Sequence, residues 1–263
     1  MLNTWRSPNT IYGREVTMIL SLHKSYTQNA VAEFGVDKNI GNEIIIGSLA
    51  NDLCEFTNEG HNFIKTKDAV FDIFGMKEKI FGSIAIYQSH FGNLASMHAM
   101  AKADNEHPEI TRQEIAAWFD FLNGVALGAI PVKPDKRIGE DNTPISDMFS
   151  SHSIEYGQIF DSEDAFGVKN RAIGMMCHLI EDLFTESHCL RDGHNEIRMF
   201  YFYSAQDKQK HKESDHAAGG LEQELQKQCN ACIQSLQNNT AYDYGSILVL
   251  SGNAKESGGG AFA

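Results

Sequence analysis

Four of the five prolines in this chain, Pro108, Pro131, Pro134 and Pro144, fall between positions 108 and 144. Proline breaks helix interiors, so this distribution leaves long unbroken stretches on either side. GAIPVKPDKRIGEDNTPIS reads as a loop that divides the chain into two helical halves of one domain. Apolar residues recur at helical spacing over 15–33, with Gly35 placed to end the helix, and over 42–56. A third helix is expected over 83–102, carrying His90 and His98, and a fourth from the capping box Thr111-x2-Glu114 to about Leu127. Helices over 164–187 and 220–238 flank a polar, histidine-rich region, 188–219. SILVL at 246–250 has the character of a short strand without an obvious partner. The expectation is an all-α, single-domain multi-helix bundle over 1–252, followed by a flexible tail over 253–263.

With 42% hydrophobic residues the chain can bury one sizeable core, and no apolar run is long enough to span a membrane. Its formal charge of −13 argues against gripping a nucleic-acid backbone or an anionic bilayer with basic side chains. A phosphate site in such a chain needs another source of positive charge, and bound divalent metals can supply it. The N-terminal MLNTWRSPNTIYGREV has neither the apolar core nor the cleavage site of a signal peptide. Five cysteines do not make an even disulfide framework, and Cys229-x2-Cys232, without a second pair, reads as helix surface or a local disulfide.

Eleven histidines are the more unusual feature. Three of them open a His-x3-Asp pair: His178/Asp182, His188/Asp192 and His211/Asp215. Composition alone predicts roughly one or two such pairs, so spacing does not decide between metal ligands and hydrogen-bonded core histidines beside solvated charges. On a helix, His178 and Asp182 lie about 40° apart and can grip one ion together, whereas His188 lies about 120° from Asp182 and faces a different neighbour. Asp182 could then bridge two ions, with HKESD completing the site of His188. Asp52 falls on the apolar face formed by Ile45, Leu49 and Phe56, where a buried carboxylate costs several kcal/mol (~2–5) unless paired or bound to metal. His98, between Met97 and Met100, reads as core packing. His61, His107, His152, His194 and His216 read as surface or loop. No nucleophile elbow, phosphate-binding glycine loop or His-Glu-x-x-His motif is present.

The helix His178-x3-Asp182-x5-His188, followed by His211-x3-Asp215, resembles the zinc-dependent phospholipases C of bacteria and the related single-strand-specific zinc nucleases of fungi and plants. GSLAND, ending in Asp52, looks like the family's small-residue helix ending in a metal-binding aspartate. IYQSHFGN, with His90, looks like its Ser/Asp-His-Phe segment, and His23 matches its first histidine. The longer gap between Asp52 and His90 leaves His61 as an alternative ligand, with the His-Phe match favouring His90. The resemblance implies a bundle around a trinuclear zinc site, with one ion on Asp52, His90, His178 and Asp182 and a second on His188, His211 and Asp215. A third would be shared by Asp182, His23 and the family's N-terminal tryptophan, a place that Trp5 fills only in a chain beginning there.

It further implies a phosphodiester hydrolase in which zinc activates water and Asp52 orients or deprotonates it as general base. The surroundings of His90 point to the phospholipase C branch, with phosphatidylcholine-type lipids at a membrane or micelle surface as substrate. In that branch the products are diacylglycerol and a phosphorylated head group, and residues 56–91 would contact acyl chains. Asp215 as the last carboxylate points to the nuclease branch, with single-stranded nucleic acid as substrate. Either implies a secreted or host-directed protein. A reading of another class is a helical binding or effector protein whose metal is structural or absent.

Overall fold

A computed structural model describes residues 24–50, 90–138, 145–149, 155–160, 162, 164–207, 210–211, 214 and 220–260. Its described part is mostly helical. Helix α1 is seen through 24–33, followed by α2 (Lys38–Ala50), α3 (Pro108–Leu127), the short α4 (Tyr156–Phe160), α5 (Ala165–Leu183) and α6 (Glu222–Gln237). None of the described helices is long and apolar enough to cross a membrane.

Helix α5 is the axis of the packing, with α2, α3 and α6 laid against it. Its sequence is apolar almost all round, as a central helix requires, and from Asn170 to Leu183 every residue is buried. Asp164 caps its start by accepting the Gly167 amide at 2.7 Å. Two glycines set how closely α2 approaches it. A Cβ on Gly174 would lie 1.9 Å from the Ile44 carbonyl oxygen, and one on Gly47 would lie 2.3 Å from that of Arg171. The helices therefore pack backbone to backbone, and Arg171 Nε closes the contact on Glu43 Oε2 at 2.6 Å. Helix α3 contributes Trp118, Phe119, Phe121 and Leu122 to the same core, all fully buried.

Several elements depart from the sequence reading. Helix α3 starts earlier than the capping box: Pro108 occupies its first turn and His107 accepts the Glu109 amide. Thr111 instead donates to Glu106 Oε1 at 2.6 Å from a buried position. The expected helix 83–102 is, in its described part, a 3-10 helix (Gly92–His98) closed by Ala99 at φ 53°. Helix α5 ends at Leu183, because the Thr185 hydroxyl turns back to the Glu181 carbonyl and the chain enters a tight turn to His188.

The histidine-rich region also contains a two-stranded antiparallel sheet, β1 (Cys189–Arg191) with β2 (Ile197–Phe200), so the fold is not purely α. Cys189 pairs with Phe200 and Leu190 with Met199, and an irregularity follows Leu190. SILVL forms a 3-10 turn over Gly245–Ile247, after which Leu250 makes a single bridge to Ile197. The segment expected as a flexible tail is packed through Gly260: Ser257 donates to the Ala103 carbonyl and accepts the Glu106 amide, and Gly258 bridges Tyr201. Cys229 and Cys232 are fully buried free thiols, neither surface residues nor a local disulfide.

Candidate metal centre

The last turns of α5 present His178 and Asp182 on one face, one helical turn apart. The 3-10 helix ends against that face and delivers His98. His98 Nδ1, His178 Nε2 and Asp182 Oδ2 form a triangle with sides of 3.1, 3.1 and 3.0 Å. A tetrahedral zinc with bonds near 2.0–2.1 Å needs donors ~3.3 Å apart, so these three already lie close to the edge of such a site. All three side chains are buried.

A second group, His90, His188 and His211, also brings three ring nitrogens within 4.8 Å of one another. His90 enters from the turn before the 3-10 helix, His188 from the turn after α5, and His211 from the chain following β2. The two groups adjoin. The rings of His90 and His98 stack at 3.6 Å, and His188 Nδ1 stands 3.6 Å from Asp182 Oδ2.

Three of these histidines hand their Nδ1 to an oxygen that can only accept. His178 Nδ1 meets the Ser48 carbonyl at 3.0 Å, His188 Nδ1 the His98 carbonyl at 2.6 Å, and His211 Nδ1 the Gln206 side-chain oxygen at 2.6 Å. Each must therefore carry its proton on Nδ1, which turns the lone pair of Nε2 toward its group, the support typical of a metal-bound histidine. Gln206 is itself held by donating to the Ser187 carbonyl at 2.8 Å. The Tyr201 amide donates to the His188 carbonyl, so the hairpin fixes the backbone of His188.

Electrostatics favour the ligand forms of His98 and Asp182. Burial pushes the His98 imidazole well below its usual range, and His90 beside it adds to the effect against the pull of Asp182. Burial on its own would raise the Asp182 carboxyl, but His178 and His188 beside it, with a hydrogen bond from His98, take it well below the usual carboxylate range. A neutral imidazole next to an ionised carboxylate is the donor set a divalent borderline metal requires.

The structure thus brings together His90, His178, Asp182, His188 and His211, and regroups them. His98, read from sequence as core packing, holds the place beside His178 and Asp182 that had been given to His90, and His90 joins His188 and His211. His98 was obscured by its methionine neighbours and by the expectation of one α-helix, in which residues eight apart would be ~12 Å apart along the axis. The pair His188/Asp192 does not chelate: Asp192 accepts from Ser251 Oγ at 2.7 Å and from the His194 and Glu196 amides. Trp5, His23, Asp52, His61 and Asp215 lie outside the described residues. Tyr203 packs its ring 4.9 Å from both His90 and His211, and the half-exposed Phe91 sits edge-on to it, forming an aromatic rim.

The chain matches no family model, no curated protein and no solved structure.

Proposed function

We propose that this protein is a zinc-dependent phosphodiester hydrolase, and specifically a phospholipase C acting on phosphatidylcholine-type lipids to give diacylglycerol and a phosphorylated head group. The observation that carries the reading is the adjacency of two buried three-donor groups, His98/His178/Asp182 and His90/His188/His211, joined where the rings of His90 and His98 stack. Their nitrogen-rich, singly anionic donor set fits zinc. Bound there, zinc supplies a nucleophile from water near neutral pH and neutralises charge on the phosphoryl group. The third ion, on Trp5, His23 and Asp182, and the roles of Asp52 and Asp215 rest on the sequence motifs.

In this account the chain's own residues do three things. Asp182 supplies the anionic oxygen of the group it forms with His98 and His178. The Ser48, His98 and Gln206 oxygens hold the imidazoles of His178, His188 and His211 in register. Asp52 would orient or deprotonate the attacking water as general base. For a protein of this net charge, the metals also explain how an anionic substrate is held.

The test is turnover of phosphatidylcholine in mixed micelles and of single-stranded DNA by one zinc-loaded preparation. Release of phosphocholine, abolished by chelator and restored by zinc, is the expected result. DNA cleavage without lipid hydrolysis would replace the substrate assignment with the nuclease reading. A folded protein inert toward both would leave a binding or effector protein.

A further inference from the structure

Arg191 is the inward-facing residue at the end of β1: its neighbour Leu190 is 40% exposed, and successive strand residues point to opposite sides. Its guanidinium donates to three backbone carbonyls from three separate parts of the chain. Nε reaches Leu183, the last residue of α5, at 2.8 Å. Nη1 reaches Asn195 in the hairpin turn at 2.8 Å, and Nη2 reaches Ile247 in the 3-10 turn after α6 at 2.9 Å. The guanidinium carbon sits over the Phe184 ring, 4.5 Å from its centroid. Among the described residues its hydrogen-bond partners include no carboxylate, so the charge is met by peptide dipoles, one of them at the negative end of α5.

The contact with Leu183 closes the chain on itself, and the turn it closes carries His188. Inside that turn the Thr185 amide donates to the Asp182 carbonyl, and the His188 and Cys189 amides donate to the Thr185 carbonyl. His178 and Asp182 are fixed by α5 itself, whereas His188 lies beyond its end and depends on how the turn is held. We propose that Arg191 is a positioning residue for the His90/His188/His211 group: its guanidinium holds the 183–191 turn closed on the end of α5, so that the His188 ring stays opposed to those of His90 and His211. The inference rests on the reading of that group as a metal site. The Cys189 thiol donates to the same Leu183 oxygen at 2.8 Å, but a thiol is a weak donor and leaves the clasp to Arg191. A lysine keeps the charge yet, as a single ammonium on a flexible stem, does not bridge three carbonyls from one plane.

The experiment titrates the metal-free full chain with cobalt(II), whose visible absorption reports the geometry of its ligands. Wild type is compared with Arg191→Lys, Arg191→Ala, His211→Ala and Asn123→Ala. Asn123 exchanges two hydrogen bonds with the Tyr242 backbone, so its variant controls for lost stability alone. The binding step that His211→Ala abolishes is the one that both Arg191 variants are expected to weaken, by roughly tenfold or more, with an altered spectrum. The other step should be unchanged, and Asn123→Ala should leave both steps intact. Should the Arg191 variants not fold, the wild type decides. Coupling is reciprocal, so filling the group with zinc should slow solvent exchange of the Arg191 Nε–H, followed by nuclear magnetic resonance. A wild type that binds no metal removes the metal reading itself, and the proposal with it. A loaded wild type whose Arg191→Lys variant binds equally well, whose Asn123→Ala variant weakens the same step as much, or whose Arg191 Nε–H exchange is indifferent to zinc overturns the proposal alone.

Discussion

His98 Nδ1 lies 3.1 Å from Asp182 Oδ2 and 3.1 Å from His178 Nε2, although more than 80 residues separate His98 from Asp182 along the chain. A histidine that merely packs between methionines has no reason to aim a ring nitrogen at a buried carboxylate. His98→Ala is therefore expected to lower bound zinc by about one ion per chain while leaving the second group loaded. Elemental analysis after dialysis reads this directly. Unchanged zinc content would return His98 to the core.

His90 is expected to act with the other group. His90→Ala and His211→Ala should each deplete the same ion, and the double variant should lose little more than either single one, since ligands of one site are not additive. Loss of different ions by the two variants would separate residues that the structure places together.

The close approach of α2 and α5 depends on Gly174, and it also sets the carbonyl of Ser48 against His178 Nδ1 at 3.0 Å. Gly174→Ala has to push the helices apart. It is expected to cost at least about 2 kcal/mol in chemical denaturation and to weaken zinc affinity by roughly tenfold or more through the displaced His178. A variant as stable as the wild type would contradict the packing described.

The metal-free protein should be acid-sensitive. In the unfolded chain His98 takes up a proton as pH falls through about 6.5. Burial holds its folded pKa well below that range, so the unfolded state binds the extra proton. Stability is full above pH ~6.5 and falls as the pH drops below it. Asp182, also held low in the fold, adds a loss of the same sign at lower pH. The urea midpoint in chelator should therefore be lower at pH 5.5 than at pH 7.5, and equal midpoints would contradict a neutral buried His98.

The C-terminal segment is part of the fold. Ser257 Oγ donates to the Ala103 carbonyl at 2.6 Å and accepts the Glu106 amide at 2.8 Å. Ser257→Ala leaves both backbone groups unsatisfied, and a loss of about 1–3 kcal/mol is expected in thermal or chemical denaturation.

The helices were legible where periodicity and breakers agree, as in α3, α5 and α6. So was the pairing of His178 with Asp182, because one helical turn fixes it locally. The hairpin was not, because its strands are three and four residues long and lie in a polar stretch with no alternation to read. The tail escaped for a related reason: its glycine-rich sequence looks disordered until Tyr201 and Ala103 offer Gly258 and Ser257 partners. The division of histidines between the two groups is tertiary. It depends on the 3-10 helix that folds His98 back beside His90, and neither residue's local spacing encodes that.

Asp182 and five histidines are proposed to form a metal centre with at least two ions. The most direct measurement is zinc bound per chain in the folded wild-type protein and in Asp182→Ala after equilibrium dialysis against a buffered zinc concentration. About two or more ions are expected in the wild type, and a loss of at least one in Asp182→Ala with the helical circular-dichroism signal retained. A fully folded wild-type protein that retains less than about one zinc would contradict it.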